Sequence, residues 1–330
     1  MSDQPTPFDK STGLLSDADR ALLEALRIPH WVKNVFVLVA LPFGGKLGSP
    51  EAWFMAAAAF TAFCWLSSAV YLINDIFDRD SDRAHPVKCR RPVASGRLSV
   101  GRAGIAALVL LAGAGAIVGL ESHLLYDPSA ALRGLGLVIW AGAYLLLNFA
   151  YSLGLKGRPI LDVLVVALGF VFRAMAGAAA LAVPISPWLV LCTLTLCLFI
   201  ALAKRRSEIA ALGPAAGDTR RVHHFYTLAN LDHMLAVSAG LAIATYCLYC
   251  LAPRTVSPQH VGSAHMIWTI PLVIYGTFRY YCLTLIAGGE DPVRLVLRDK
   301  VMWLVGVVWL LLAAAIIAWG RTPLLKGILM

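Results

Sequence analysis

The sequence predicts an all-α membrane protein of about nine transmembrane helices, on three observations. Of its 330 residues, 59% are hydrophobic and only 14% charged, against roughly 25% charged residues in soluble domains. Apolar runs approaching the roughly 20 residues that cross a hydrocarbon core recur along the whole chain. The basic residues between those runs fall mostly on alternate loops, the asymmetry of a multi-pass protein.

Residues 1–26 are polar and carry Asp3, Asp9, Asp17, Asp19 and Glu24. They lack the basic start and apolar centre of a cleavable signal. This segment is therefore expected to persist on the cytoplasmic side, with a short interfacial helix from Leu14 to Leu26. Residues 27–330 are expected to form a single transmembrane domain, with spans at 34–49, 53–77, 103–121, 132–152, 160–182, 187–203, 232–252, 265–286 and 301–320. The first is the weakest, being short and broken by Pro42, Gly44 and Gly45.

With a cytoplasmic N-terminus, the loops after the second, fourth, sixth and eighth spans share one face. Residues 78–102, 154–158, 204–221 and 279–300 hold 18 of the 28 Lys and Arg residues. The positive-inside rule puts that face in the cytoplasm of a plasma (inner) membrane. The net charge of +9 is then a topology signal, and a nucleic-acid partner is not expected. Seven cysteines lie mostly in apolar runs without a disulfide framework. Cys247 and Cys250 form a CxxC with no second pair, so packing is their expected role.

The second span ends in Asn74-Asp75-Ile76-Phe77-Asp78-Arg79-Asp80-Ser81-Asp82-Arg83. If the helix continues, Asp75, Asp78 and Asp82 fall at i, i+3 and i+7, with Asn74 one turn from Asp78. Three carboxylates and an amide then share one face. Like charges so close repel unless a cation intervenes, and Mg²⁺ is held by one or two carboxylates together with substrate phosphates and water. The spacing outlines a Mg²⁺-diphosphate site. Arg79 and Asp80 read instead as a solvated helix end. The loop that follows, with His85-Pro86, Lys88, Arg90, Arg91-Pro92 and Arg97, supplies the guanidinium forks and point charge that phosphate oxygens take.

Other cations mark the remaining cytoplasmic ends: Arg27 and Lys33 around Trp31, Lys156 after Tyr151, and Lys204, Arg205 and Arg206 with Glu208. Each reads equally as a snorkelling anchor or an anion contact. In Lys204-Arg205-x-x-Glu208 a local ion pair is the simplest pairing. Arg173 lies inside an apolar run, where a cation needs a polar partner. A carboxylate or other anion is expected there, Asp162 being one candidate. His223 and His224 are adjacent and so cannot share a helical face as metal ligands. Gly288-Gly289-Glu290-Asp291-Pro292 suggests a flap after the eighth span.

Asn74-Asp75-x-x-Asp78 followed by Arg91-Pro92 resembles the first aspartate-rich motif of the UbiA superfamily of intramembrane prenyltransferases. Within it, several stretches resemble the branch of decaprenyl-phosphate phosphoribosyltransferases: Trp31-Val32-Lys33-Asn34, Tyr71 through Arg91, Tyr151-Ser152-Leu153-x-Leu155-Lys156, Arg173-Ala174-x-Ala176-Gly177, Lys204-Arg205-x-x-Glu208 and Leu297-Arg298-Asp299. The resemblance covers about 27–310. It departs from ordinary prenyltransferases after the sixth span, where those carry a second aspartate-rich motif and this chain carries Lys204-Arg205-x-x-Glu208.

The resemblance implies a UbiA-like bundle with a cytoplasmic-face active site. It implies Mg²⁺-dependent transfer of 5-phosphoribose from phosphoribosyl pyrophosphate (PRPP) to a polyprenyl phosphate in the lipid bilayer, a step in making cell-envelope glycolipid precursors. Asn74, Asp75, Asp78 and Asp82 would hold the metal. Lys88, Arg90 or Arg91, and Lys156, would meet the leaving diphosphate; Lys204 and Arg205 would take the 5-phosphate or the lipid phosphate. Lys33 or Arg173 would anchor the lipid phosphate, with Tyr151, Glu208 and Arg298 lining the site. A homo-oligomer is compatible with all of this. The alternatives are prenyl transfer from a prenyl diphosphate, and a non-enzymatic lipid transporter, for which no repeated half-helix breaks are found.

Overall fold

The computed structural model describes residues 16–84, 88–125, 132–184, 187–212, 225–251, 264–286, 295–296 and 298–319. His85-Pro86, His223-His224, Leu297 and the Gly288–Pro292 segment lie outside these. Among the described residues every regular element is helical. In order they are α1 (Asp17–Leu26), a 3₁₀ helix (Ile28–Val39), α2 (Ala40–Phe43), α3 (Pro50–Phe77), α4 (Arg79–Arg83), a 3₁₀ turn (Lys88–Arg90), α5 (Val100–Leu124) and α6 (Leu132–Leu153). A 3₁₀ turn (Leu155–Gly157), α7 (Leu161–Ala180), α8 (Pro187–Leu212), α9 (Leu228–Leu251), a 3₁₀ helix (Ala264–Thr269), α10 (Ile270–Ile286) and α11 (Lys300–Trp319) complete the series.

Seven helical runs among the described residues are long and apolar enough to cross a membrane, ending with His265–Ile286, and α11 adds a shorter apolar run over Lys300–Ile316. The protein is thus a multi-pass membrane protein, and the expected count of nine α-helical spans is not what is observed. The missing one is 34–49, where the chain forms the 3₁₀ helix and then a single α-turn. Pro42 removes a backbone donor, and Gly44 and Gly45, the latter at φ 67°, end the turn.

By their contacts the residues group into two compact units, one of Met1–Val32 with Cys64–Ala116 and one of Lys33–Phe63 with Ile117–Met330. In the first, α1 begins with a capping box: Ser16 Oγ accepts from the Asp19 amide while the Asp19 carboxylate takes the Ser16 amide. Such a cap contributes about 0.5–2 kcal/mol. The apolar stripe of α1, Ala21, Leu22, Ala25 and Leu26, packs with Ala69, Leu72 and Ile76 of α3, Val93 and Leu98 of the following loop, and Ala103 and Ala107 of α5. Arg97 clamps Glu24 with two hydrogen bonds of 2.7 and 3.0 Å, and Arg102 holds Asp19 at 2.9 Å. An expected interfacial helix is therefore an integral wall of this unit.

In the second unit α6 to α11 pack each on its neighbour in sequence. The small residues of Arg173-Ala174-x-Ala176-Gly177 have a steric cause. A Cβ added at Gly177 would lie 1.8 Å from the Val37 carbonyl oxygen, so only glycine admits the 3₁₀ helix against α7.

Candidate active site

The carboxylate face forms much as its spacing predicts, with a change of direction in the middle. α3 ends at Phe77, and Asp78 at φ −86°, ψ 4° occupies the bridge region that follows a helix end. The i→i−4 pattern nonetheless passes through it, since the Asp78 amide donates to Asn74 O and the Asp82 amide to Asp78 O, both at 2.8 Å. That continuity leaves Asp75 and Asp82 on one face. Arg91 spans them, with Nη1 2.7 Å from Asp82 Oδ2 and 3.2 Å from Asp75 Oδ1. Asn74 and Asp78 are half-buried beside them.

Asp75 is the most constrained member, 1% exposed. Its Oδ1 also accepts from Arg27 Nη2 at 2.7 Å, so two guanidinium groups share one oxygen. The Arg27 guanidinium lies over the Tyr71 ring, 4.7 Å from its centroid. The other oxygen, Asp75 Oδ2, is buried with no hydrogen-bond partner. An ionised carboxylate oxygen left so is costly, and a bound cation would satisfy it.

Among the described residues no three His, Cys, Asp or Glu side chains form a ready-made metal cage, because Arg91 stands between Asp75 and Asp82. Mg²⁺ does not need one, being held through one or two carboxylates with substrate phosphates and water. A buried, unpaired carboxylate oxygen of Asp75, with the Asn74 amide and Asp78 nearby in the chain, fits that donor set.

Of the predicted basic contacts in this unit, Arg91 is brought to the carboxylates. Arg90 points outward and Lys88 is half-buried in the 3₁₀ turn. Arg97 serves the loop instead, bonding the Arg90 carbonyl at 2.7 Å as well as Glu24. Arg27, for which the sequence allows an anchor or an anion contact equally, is here bound to Asp75. Its only linear clue is its place between an amphipathic helix and Trp31-Val32-Lys33-Asn34.

The second unit corrects two expectations. Arg173 has no anionic partner among its described hydrogen bonds. Its Nε donates to Asn34 Oδ1 at 2.7 Å, Nη1 to Gly169 O at 2.9 Å and Nη2 to Tyr144 Oη at 2.9 Å, and it stacks on the Tyr144 and Phe170 rings. Neutral oxygens and ring faces replace the carboxylate, tying the 3₁₀ helix, α6 and α7 together. Asp162, the partner considered for Arg173, belongs to Arg205.

Arg205, 6% exposed, lies between Asp162 Oδ2 and Glu208 Oε2, each 2.5 Å away. The Asp162 contact is an ion pair without hydrogen-bond alignment. Tyr226 Oη donates to Asp162 Oδ1 at 2.8 Å and accepts the Ile160 amide at 2.7 Å. Burial, and then its bond to Asp162, push the Tyr226 hydroxyl well above its ordinary pKa. Arg206 is likewise used, pairing with Asp232 and donating to Thr284 O at 3.0 Å. Lys204 alone of this run is exposed, while Tyr151 and Lys156 are half-buried and Lys33 is half-buried on the 3₁₀ helix. Arg298 is exposed next to Asp299, which binds Arg279 at 2.8 and 3.0 Å and caps α11 through the Met302 amide.

Comparison with known proteins shows the family and the fold. Residues 34–216 match the model of the UbiA prenyltransferase family, and the chain belongs to that family. It is 33% identical over 87% of its length to a decaprenyl-phosphate phosphoribosyltransferase of Corynebacterium glutamicum, of which 84% is covered. It is 30% identical over 91% of its length to the protein of the same name from Mycobacterium tuberculosis, covering 95% of that chain. Among solved structures, a UbiA homolog from Archaeoglobus fulgidus bound to DMAPP and Mg²⁺ aligns with a TM-score of 0.63 at 17% identity, over 91% of this chain and 99% of the other. That likeness establishes the fold.

Proposed function

We propose that this protein transfers 5-phosphoribose from PRPP to a polyprenyl, decaprenyl-like phosphate and releases diphosphate. The strongest support is the 33% identity, over 87% of the chain, to a decaprenyl-phosphate phosphoribosyltransferase. The run from Lys204 agrees with it, since an exposed cation stands where ordinary prenyltransferases carry a second carboxylate motif.

Asn74, Asp75 and Asp78, with Asp82 beside them, would hold Mg²⁺, whose charge when bound offsets that of the diphosphate. Arg91, with Lys88 and Arg90 from the same loop, would stabilise the leaving diphosphate as the anomeric C–O bond breaks. The lipid phosphate oxygen forms the new bond to that carbon. It is already anionic at neutral pH, so positioning and electrostatics replace a strong base. Lys156, Lys204 and Arg298 are assigned to substrate phosphates, and Lys33 with Tyr151 to the polar end of the lipid. Arg173, Arg205 and Glu208 are assigned to holding the helices that carry them.

Nine membrane crossings are proposed, counting Ile28–Phe43 and α11, with the N-terminus and the site on the cytoplasmic side of the plasma membrane. The concentration of 18 of 28 basic residues on one set of loops supports this orientation, as does PRPP being a cytosolic anion. The test is incubation of membranes containing the protein with radiolabelled PRPP and polyprenyl phosphate, with and without Mg²⁺. Labelled lipid is expected only with Mg²⁺. No labelled lipid, together with product from a prenyl diphosphate and an aromatic acceptor, would replace this reading with prenyl transfer.

A further inference from the structure

Arg27 occupies a backbone position that favours a different residue. It ends α1 in the left-handed conformation, φ 52° and ψ 46°, where glycine is the usual occupant and an arginine is strained. The surrounding contacts hold it there. Ser68 Oγ donates to the Leu26 carbonyl at 2.8 Å and accepts from Trp31 Nε1 at 2.9 Å, while the His30 amide bonds the Arg27 carbonyl at 2.8 Å. The result is a guanidinium delivered over the Tyr71 ring onto a single oxygen of a carboxylate that is 1% exposed.

We propose that Arg27 is a positioning residue for Asp75, occupying Oδ1 together with Arg91 so that Oδ2 alone is left to bind the divalent cation. The inference rests on the metal reading of the carboxylate face and adds a residue to it. If both oxygens of Asp75 were unpaired, the side chain could turn about its last torsion and present either one. With Oδ1 bound at 2.7 Å by Arg27 and 3.2 Å by Arg91, that rotation is blocked and the unpaired oxygen has one direction. Groups that hold a metal-binding side chain from behind commonly raise metal affinity by about 10- to 100-fold.

The left-handed backbone makes a clean experiment available. Arg27→Gly removes the guanidinium while relieving the backbone, so a folding defect is not expected from the main chain. Purified full-length protein in lipid nanodiscs is dialysed to equilibrium against Mn²⁺ with inorganic diphosphate, and the retained Mn²⁺ is measured. Arg27→Gly is expected to weaken retention about tenfold or more, and Asp75→Asn to abolish it. Arg97→Ala, which breaks a different contact of α1, should leave it unchanged. Arg27→Lys keeps a cation beside Oδ1 and is expected to recover part of the affinity, which keeps the question answerable if the glycine variant fails to fold. Native-like retention in Arg27→Gly, alongside its loss in Asp75→Asn, overturns the positioning role. Native-like retention in Asp75→Asn overturns the metal reading itself.

Discussion

Arg91 and Arg205 each stand between two carboxylates, yet one arrangement is open and the other closed. Arg91 keeps 28% of its side chain exposed, reaches Asp75 at 3.2 Å and Asp82 at 2.7 Å, and leaves one buried oxygen of Asp75 without a partner. Arg205 keeps only 7% exposed, has Asp162 and Glu208 both at 2.5 Å, and its fully buried partner has its second oxygen taken by Tyr226. The half-exposed guanidinium of the first can turn to a substrate, whereas the buried one of the second is held between its two carboxylates. The difference separates a place where charge awaits a substrate from one where charge fixes helices.

The largest effect expected from this contrast is on turnover at the open cluster. Asp75→Asn and Asp78→Asn should each lower phosphoribosyl transfer on the order of a thousandfold, measured in membranes with protein levels checked by immunoblot. Activity within a few-fold of native in either variant would remove that carboxylate from the metal site.

At the closed cluster the expected loss is in stability. Arg205→Ala strands the Asp162 charge, which is 0% exposed, and should destabilise by about 3–5 kcal/mol, read as a lower denaturation midpoint in detergent. Its neighbour is the control: exposed Lys204→Ala should leave the midpoint unchanged and raise the KM for PRPP several-fold. If Arg205→Ala melts like native but loses PRPP affinity, the distinction drawn here between the two arginines is wrong.

The smallest effect concerns pH at a third pair, Arg279 and Asp299. The hydrogen bond from Arg279, and then that from the Met302 amide, hold the Asp299 carboxyl below its ordinary pKa. A group lowered in the folded state contributes stability above its unfolded pKa, about 3.9, and loses that contribution as pH falls through the folded value. The melting-temperature gap between native protein and Asp299→Asn should be constant above about pH 5 and close below pH 4. A gap that persists at pH 3 would mean that Asp299 acts through packing or capping alone.

Much of the architecture was legible because membrane insertion is written in linear runs. α3, α5 and α7 were located by apolar length, and the Asp75, Asp78 and Asp82 face by helical spacing, since both properties belong to a single stretch of chain. The first span is instead wound as a 3₁₀ helix over Ile28–Val39, and the steric demand at Gly177 comes from Val37 on that helix, far away in sequence. The Arg205–Glu208 pair could be read because it lies within one turn. Asp162 was offered to Arg173 and belongs to Arg205, because partners on different helices carry no mark in either segment.

The amino-acid sequence by itself determined that this chain lies in a membrane, that its basic loops alternate, and which residues could carry metal and phosphate chemistry. Hydrophobic length, charge asymmetry and i, i+3, i+7 spacing are all local quantities. Only the tertiary structure decided which cations are consumed and which oxygen is left over. Arg27 reaches Asp75 across 48 positions of sequence because α1 buries its apolar stripe against α3 and α5, and that packing, with Ser68 fixing the Leu26 carbonyl, points the guanidinium at a single carboxylate oxygen.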